Sequence, residues 1–143
     1  MRKILVIGSE KSTSYLLKYL LDKSISEKLH ITVADININN AKKIIKNHIN
    51  ATTIILDIFD ESARNEAIKK SDIVISMLPA RFHTEVAKDC IKYSKHMVTA
   101  SYVSPEMQAL NNEAIKKGVV IMNEIGVDPG IDHMSAMQVL NRI

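Results

Sequence analysis

The chain has 143 residues, 46% of them hydrophobic and 24% charged, with a formal net charge of +3. That balance describes one soluble domain, large enough to bury about 70% of the surface its unfolded chain exposes. Four glycines, three prolines and a single cysteine, Cys90, exclude collagen-like, linker-rich and disulfide-stapled architectures, while 19 basic and 16 acidic residues, interleaved, form no stripe for nucleic acid.

Met1-Arg2-Lys3 leads into an apolar run over residues 4–7 that Gly8 ends, too short for a signal peptide. No apolar stretch approaches the ~20 residues that span a bilayer, so no membrane partner and a cytoplasmic location are expected. The run is instead the first of six short β-branched segments, at residues 4–7, 31–34, 53–56, 73–76, 97–99 and 119–122. Each is apolar nearly throughout, as strands buried on both faces of a parallel sheet are. Between them the apolar residues take helical spacing. The first such stripe is Tyr15, Leu16, Tyr19 and Leu20, and the second is Ala41, Ile44, Ile45 and His48. Ala63, Ala67 and Ile68 follow, then Val86, Ala87, Cys90 and Ile91, then Leu110, Ala114 and Ile115. Six strands alternating with five helices predict an α/β fold: a doubly wound (Rossmann) parallel sheet, one domain over residues 1–143. A last helix is expected to start near Asp132 as N-cap and to carry Ile131, Met134, Met137 and Leu140 towards Ile143. It ends without a capping glycine or polar tail, which reads as a domain cut from a longer protein.

Open α/β sheets bind ligands at the carboxyl ends of their strands, so the junctions after each strand carry the chemistry. The first, Gly8-Ser9-Glu10-Lys11-Ser12-Thr13, stands where a dinucleotide-binding fold places G-x-G-x-x-G. Gly8 fits the first glycine; Glu10 and Thr13 occupy the other two positions. Asp35 closes the second strand, where a carboxylate accepts hydrogen bonds from the adenosine ribose; its other reading is an ordinary turn residue. A carboxylate there repels a 2′-phosphate, which favours NAD, with NADP as the second choice. Asp57 ends the third strand close to where such folds hold adenine. Arg81 and the histidines His83 and His96 read as structural. His133 and Glu124 stand at the ligand edge, Glu124 as a candidate proton carrier. The seven methionines read as core filler.

Two strings are far more specific: H-M-V-T-A-S-Y-V-S at residues 96–104 and M-N-E-I-G-V-D-P-G-I-D-H at residues 122–133. With the order of elements around them, they make the whole chain resemble the N-terminal NAD(P)-binding domain of the saccharopine dehydrogenase (saccharopine reductase) family. The resemblance implies that, past the turn at Gly8, the backbone of Ser9, Glu10, Lys11 and Ser12 faces the pyrophosphate and Asp35 the ribose. It puts Asp57 and Ile58 at the adenine and Leu78 along the cofactor. Ala100 and Ser101 then lie near the nicotinamide half with Val127, Asp128 and Pro129 closing over it, while Ser101, Tyr102 and Asp128 reach an amino-acid substrate. Asp128 and Glu124 are the expected catalytic carboxylates, and no metal is expected. The family reaction reduces the imine formed from an amino acid and 2-aminoadipate semialdehyde, or runs the reverse. Members are longer than this chain, with a second substrate and dimerisation domain, so the isolated chain is expected to be inactive and a full-length form to have room for a homodimer.

Glu10 is where the sequence departs from that pattern. The second glycine exists so that backbone can approach the pyrophosphate without a Cβ. A carboxylate about 5 Å from one phosphate charge costs about 3 kcal/mol at an effective dielectric of 20, less if the side chain swings into water. Two other readings stay open: a non-catalytic Rossmann binding or regulatory module with weakened cofactor binding, favoured by that departure, and a sibling reaction of the carboxynorspermidine or homospermidine synthase type, which would share this half and differ in the second domain.

Overall fold

In a computed structural model that describes residues 1–10 and 12–143, Lys11 lies outside the described residues. The strands are β1 (Arg2–Ile7), β2 (Leu29–Asp35), β3 (Ala51–Ile55), β4 (Ile73–Ser76), β5 (His96–Thr99) and β6 (Ile121–Met122). They form one parallel sheet in the order β3-β2-β1-β4-β5-β6.

Alternation along β1 shows how the sheet divides the core. Ile4 and Val6 face one way, onto Leu17, Leu20 and Leu21 of α1 (Thr13–Lys23) and Ala41 and Ile45 of α2 (Asn39–Ile45). Leu5 and Ile7 face the other, onto Ile68 of α3 (Glu61–Lys69) and Val86, Ala87 and Cys90 of α4 (His83–Lys92). Burial of both faces is why the strands read as continuous apolar runs. On the second face α3 and α4 are also joined by an ion pair: Arg64 Nε donates to Asp89 Oδ2 at 2.5 Å, with both side chains 9% exposed. Burial, then the charge of Asp89, pushes the neighbouring Cys90 thiol up to about 12, so it behaves as core rather than as a nucleophile.

Four expectations need correction. On α1 the buried stripe is Leu17, Leu20 and Leu21 with Thr13, while Tyr15 and Tyr19 are exposed. The run Tyr-Leu-Leu-Lys-Tyr-Leu-Leu offers two overlapping stripes. The one taken buries leucines and leaves phenol hydroxyls to water, where they need no protein partner. The β5–β6 crossover holds two helices, α5 (Pro105–Ala109) and α6 (Asn111–Lys117), because Ser104 caps a separate first turn by accepting from Met107 N at 3.1 Å. Ile115 consequently lies outside the core. β6 shrinks to two residues, since Val119 is still in the turn out of α6, its N–H bonded to Ala114 O. Finally, α7 (Ile131–Leu140) is capped at Gly130, and Asp132 sits inside the first turn, reaching back to accept from Gly130 N at 2.8 Å. No residue of α7 is buried, and Met134, Met137 and Leu140 are exposed rather than core filler. Among the described residues no helix is long and apolar enough to cross a membrane.

Candidate functional site

β1 delivers Gly8 to the point where strand order reverses, between β1 and β4, the position at which open α/β sheets bind ligands. Its φ is +101°, and a Cβ would stand 3.0 Å from the Met77 carbonyl oxygen. Both the conformation and the close approach of the β4 loop therefore require glycine here. α1 opens just beyond, behind Ser12, whose side chain makes no capping hydrogen bond. The positive end of its dipole is thus placed at the loop. Thr13, at the third-glycine position, is fully buried, and its hydroxyl has no hydrogen-bond partner among the described residues.

β2 brings Asp35 to the same loop. Its Oδ2 accepts from both Ser9 N (2.6 Å) and Ser9 Oγ (2.8 Å), and its Oδ1 accepts from Asn37 N (3.0 Å). Asn40 Nδ2 donates in turn to Ser9 O, so the loops after β1 and β2 are laced together. Two hollows flank this lacing. One of about 930 Å³ includes Ser9, Glu10, Ser12 and Lys43. The other, about 460 Å³, unites Gly8, Glu10, Asp35, Asp57, Ile58 and Leu78, six of the residues expected to line a dinucleotide. Asp57 lies two residues past β3, where its Oδ1 accepts from Phe59 N at 2.9 Å and shapes the turn. Sequence reasoning missed the apolar wall of this slot, Phe59 edge-on to Phe82 with ring centroids 5.3 Å apart, and Arg81 stacked on Phe82 at 4.8 Å. Neither phenylalanine falls in a periodic stripe, so no pattern marked them.

The other half of the edge is built by the loops after β5 and β6. Gly126 lies against Ala100, where a Cβ would come within 2.9 Å of the alanine Cβ. Gly130 has φ +147°, and a Cβ there would meet the Gly126 carbonyl oxygen at 2.2 Å. These two glycines bracket Val127, Asp128 and Pro129, closed by Gly126 N to Pro129 O at 3.0 Å across a cis Asp128–Pro129 bond. Tyr102 Oη donates to Asp128 Oδ1 at 2.7 Å. That hydrogen bond, followed by burial and the charges of Asp128, Asp132 and Glu124, raises the Tyr102 phenol above its ordinary value. Tyr102 thus stays a proton donor in a cluster of carboxylates. Glu124 uses Oε1 to accept from Val103 N at 3.2 Å, which gives it a loop-tying task. His133 pairs with Asp132 at 3.2 Å on the exposed start of α7.

The largest omission from the sequence reading is what surrounds His83. The ring is 3% exposed, with Nδ1 2.8 Å from Ser76 Oγ and Nε2 2.7 Å from Ser101 Oγ and 3.2 Å from Thr99 Oγ1. Desolvation holds its pKa below the ordinary histidine value, so the ring is neutral at pH 7. One nitrogen then donates and the other accepts, and the Ser76 bond fixes what Ser101 receives. Ser101 is thereby wired to the end of β4, immediately before the Met77–Leu78 wall of the first slot.

Strand order and the Gly8 turn are those of a dinucleotide-binding domain; Glu10 is the poorest match to that ligand, and both Ser9 donors are already taken by Asp35. The exposed Glu10 side chain stands at both hollows. Known proteins narrow the class. Residues 4–122 match the saccharopine dehydrogenase NADP binding domain, and the chain belongs to that family. It is 41% identical over 143 residues to a Schizosaccharomyces pombe saccharopine dehydrogenase (NADP(+), L-glutamate-forming), and 39% identical over 142 residues to the protein of that name from Pyricularia oryzae. It spans 31% of the length of each. The solved apo saccharopine dehydrogenase (L-Glu forming) from Saccharomyces cerevisiae superposes with a TM-score of 0.84 at 33% identity, over 100% of this chain and 31% of that one. The family is named for NADP binding, and the fungal relatives for NADP(+).

Glu10→Gly should strengthen NADH binding at least severalfold in a fluorescence titration, because it removes a carboxylate from the edge of both hollows and restores the close backbone approach. Unchanged or weaker binding would show that Glu10 is no penalty.

Proposed function

We propose that this chain is the cofactor-binding half of an oxidoreductase that reduces an imine formed between an amino acid and 2-aminoadipate semialdehyde, or runs the reverse oxidation of saccharopine. The observation carrying this reading is the juxtaposition of the glycine turn with Asp35 at one end of the sheet edge and the Tyr102–Asp128 pair at the other. A bound reduced nicotinamide supplies hydride to the imine carbon. The chain's own residues position and charge-match the reactants. Asp128 offers a carboxylate to the substrate α-ammonium, a charge-assisted contact, while Tyr102 fixes the orientation of that carboxylate. Ser101, held by His83, presents a hydroxyl at the same edge. Glu124 is the second carboxylate available for proton transfer once its loop bond to Val103 is released.

A second domain completes this site. The apolar residues of α7, all solvent-facing here, give it a surface to cover, and carboxylate-binding arginines for the substrate come from it. The alternative, a non-catalytic Rossmann binding or regulatory module with weakened cofactor binding, draws its support from the glycine loop, where Glu10 and Thr13 replace two glycines. The two separate cleanly. The 143-residue chain should quench or enhance NADH fluorescence on titration yet oxidise no NADH when given glutamate and the semialdehyde. A longer polypeptide joining it to its second domain should oxidise NADH with both. Absence of dinucleotide binding sinks the proposal, and turnover by the chain alone sinks its two-domain part.

A further inference from the structure

We infer that this chain selects NAD(H) over NADP(H), with Asp35 as the deciding residue, in departure from the cofactor named for its fungal relatives. The inference rests on the reading above that the sheet edge holds a nicotinamide dinucleotide. At the end of β2 the adenosine ribose meets the protein, and the side chain there answers either two hydroxyls or a phosphate dianion. Asp35 answers hydroxyls. Its carboxylate is also immobilised: three hydrogen bonds, from Ser9 N, Ser9 Oγ and Asn37 N, all hold the ionised form. A carboxylate has about four lone-pair sites, so about one remains to accept from a ribose hydroxyl, and Asp35 lines both hollows. A mobile surface aspartate could swing into water to admit a 2′-phosphate. This one cannot do so without releasing the lacing that joins the β1 and β2 loops through Ser9 and Asn40.

Among the described residues, the surroundings supply little to offset the charge. The larger hollow is lined there by two carboxylates, Glu10 and Asp35, and one amine, Lys43. The residue after Asp35 is Ile36, 69% exposed, an alkyl chain where a guanidinium would be needed to fork a phosphate. Lys43 is a flexible point charge on α2 and cannot make the planar two-pronged contact that phosphate specificity draws on.

The test is a pair of titrations of the chain with NADH and with NADPH, read by nicotinamide fluorescence at about 0.15 M ionic strength, where remote charges are screened and contact charges are not. NADH should bind at least tenfold more tightly. Ile36→Arg, an exposed substitution that leaves the Asp35 bonds intact, should improve NADPH binding severalfold and change NADH binding much less. Asp35→Ser should lose NADH affinity and narrow the gap between the two ligands. NADPH binding equal to or tighter than NADH in the unaltered chain overturns the selectivity and leaves the dinucleotide reading standing. Failure of both ligands to bind overturns the two together. Circular dichroism of each variant separates a changed preference from a lost fold.

Discussion

Asp89→Ala should destabilise the chain by about 3–5 kcal/mol, lowering its melting temperature by roughly 10–20 °C. The magnitude follows from what the substitution strands. Arg64 Nε loses its 2.5 Å partner inside a region where both side chains are 9% exposed, and a buried guanidinium with no counter-charge bears its full desolvation cost. The pair itself is not a large net stabiliser, because bringing both ions out of water offsets most of their attraction. Arg64→Met with Asp89→Leu should therefore recover most of the loss, an outcome a simple bond-counting view does not predict. The recovery should stop short of full, since Arg64 Nη1 also donates to Ile58 O at 2.6 Å. That second bond ties the ion pair to the turn carrying Asp57, Ile58 and Phe59. The double variant should be nearly as stable as the parent yet bind dinucleotide more weakly. Chemical denaturation and NADH titration on the same samples check both halves. Equal destabilisation in the single and double variants would refute the stranded-charge argument.

Arg64 and Asp89 also mark where sequence reading stops. The strands were legible because burial on both sheet faces makes apolar composition local to each segment, and α4 was legible because Val86, Ala87, Cys90 and Ile91 form one unambiguous stripe, all buried. α1 misled because two stripes overlap and only tertiary packing chooses between them. The ion pair was invisible because its partners lie on different helices, and on each helix a charged residue reads as solvent-facing. The site divides in the same way. Gly8, Asp35 and Asp57 were legible since each stands at or within two residues of a strand end, and topology sends strand ends to one edge. Asp128 lies six residues past β6, and only the family string at residues 122–133 marks it. Phe59, Phe82 and the Asn40 tie were not legible, for they meet only after the crossovers are made. Gly126 and Gly130 were legible as a turn, but the reason they must be glycine lies in contacts with Ala100 and with each other.

His83 is the sharpest case of a residue that sequence alone undervalues, because its partners come from the ends of β4 and β5 and share no local pattern with it. Replacing it with alanine should cost about 2–4 kcal/mol: a cavity opens, and the buried Ser76 hydroxyl loses its partner. Its titration gives a second, independent readout. Burial lowers the folded-state pKa below the unfolded value near 6.5, so between those two values the unfolded chain binds the extra proton. Stability from this group is complete above about pH 6.5 and declines as pH falls through the window towards the folded value. His83→Gln keeps a donor and an acceptor but no titrating ring. Its melting temperature should be lower than the parent's at pH 7.5 and should fall less between pH 7.5 and 5.5. A parent chain whose loss over that range matches the glutamine variant's would mean that the ring is not held neutral. The same substitution tests the wiring to the ligand edge. Ser101 Oγ is fixed by His83 Nε2 at 2.7 Å, and Thr99 Oγ1 both approaches that nitrogen and accepts from Ser101 N at 3.3 Å. A glutamine amide can replace one of those contacts and not the geometry of all three. If the proposed function holds, His83→Gln in a longer polypeptide that joins this chain to a second domain should raise the KM for the amino acid more than it lowers kcat, the signature of a group that positions Ser101 rather than one that handles the proton.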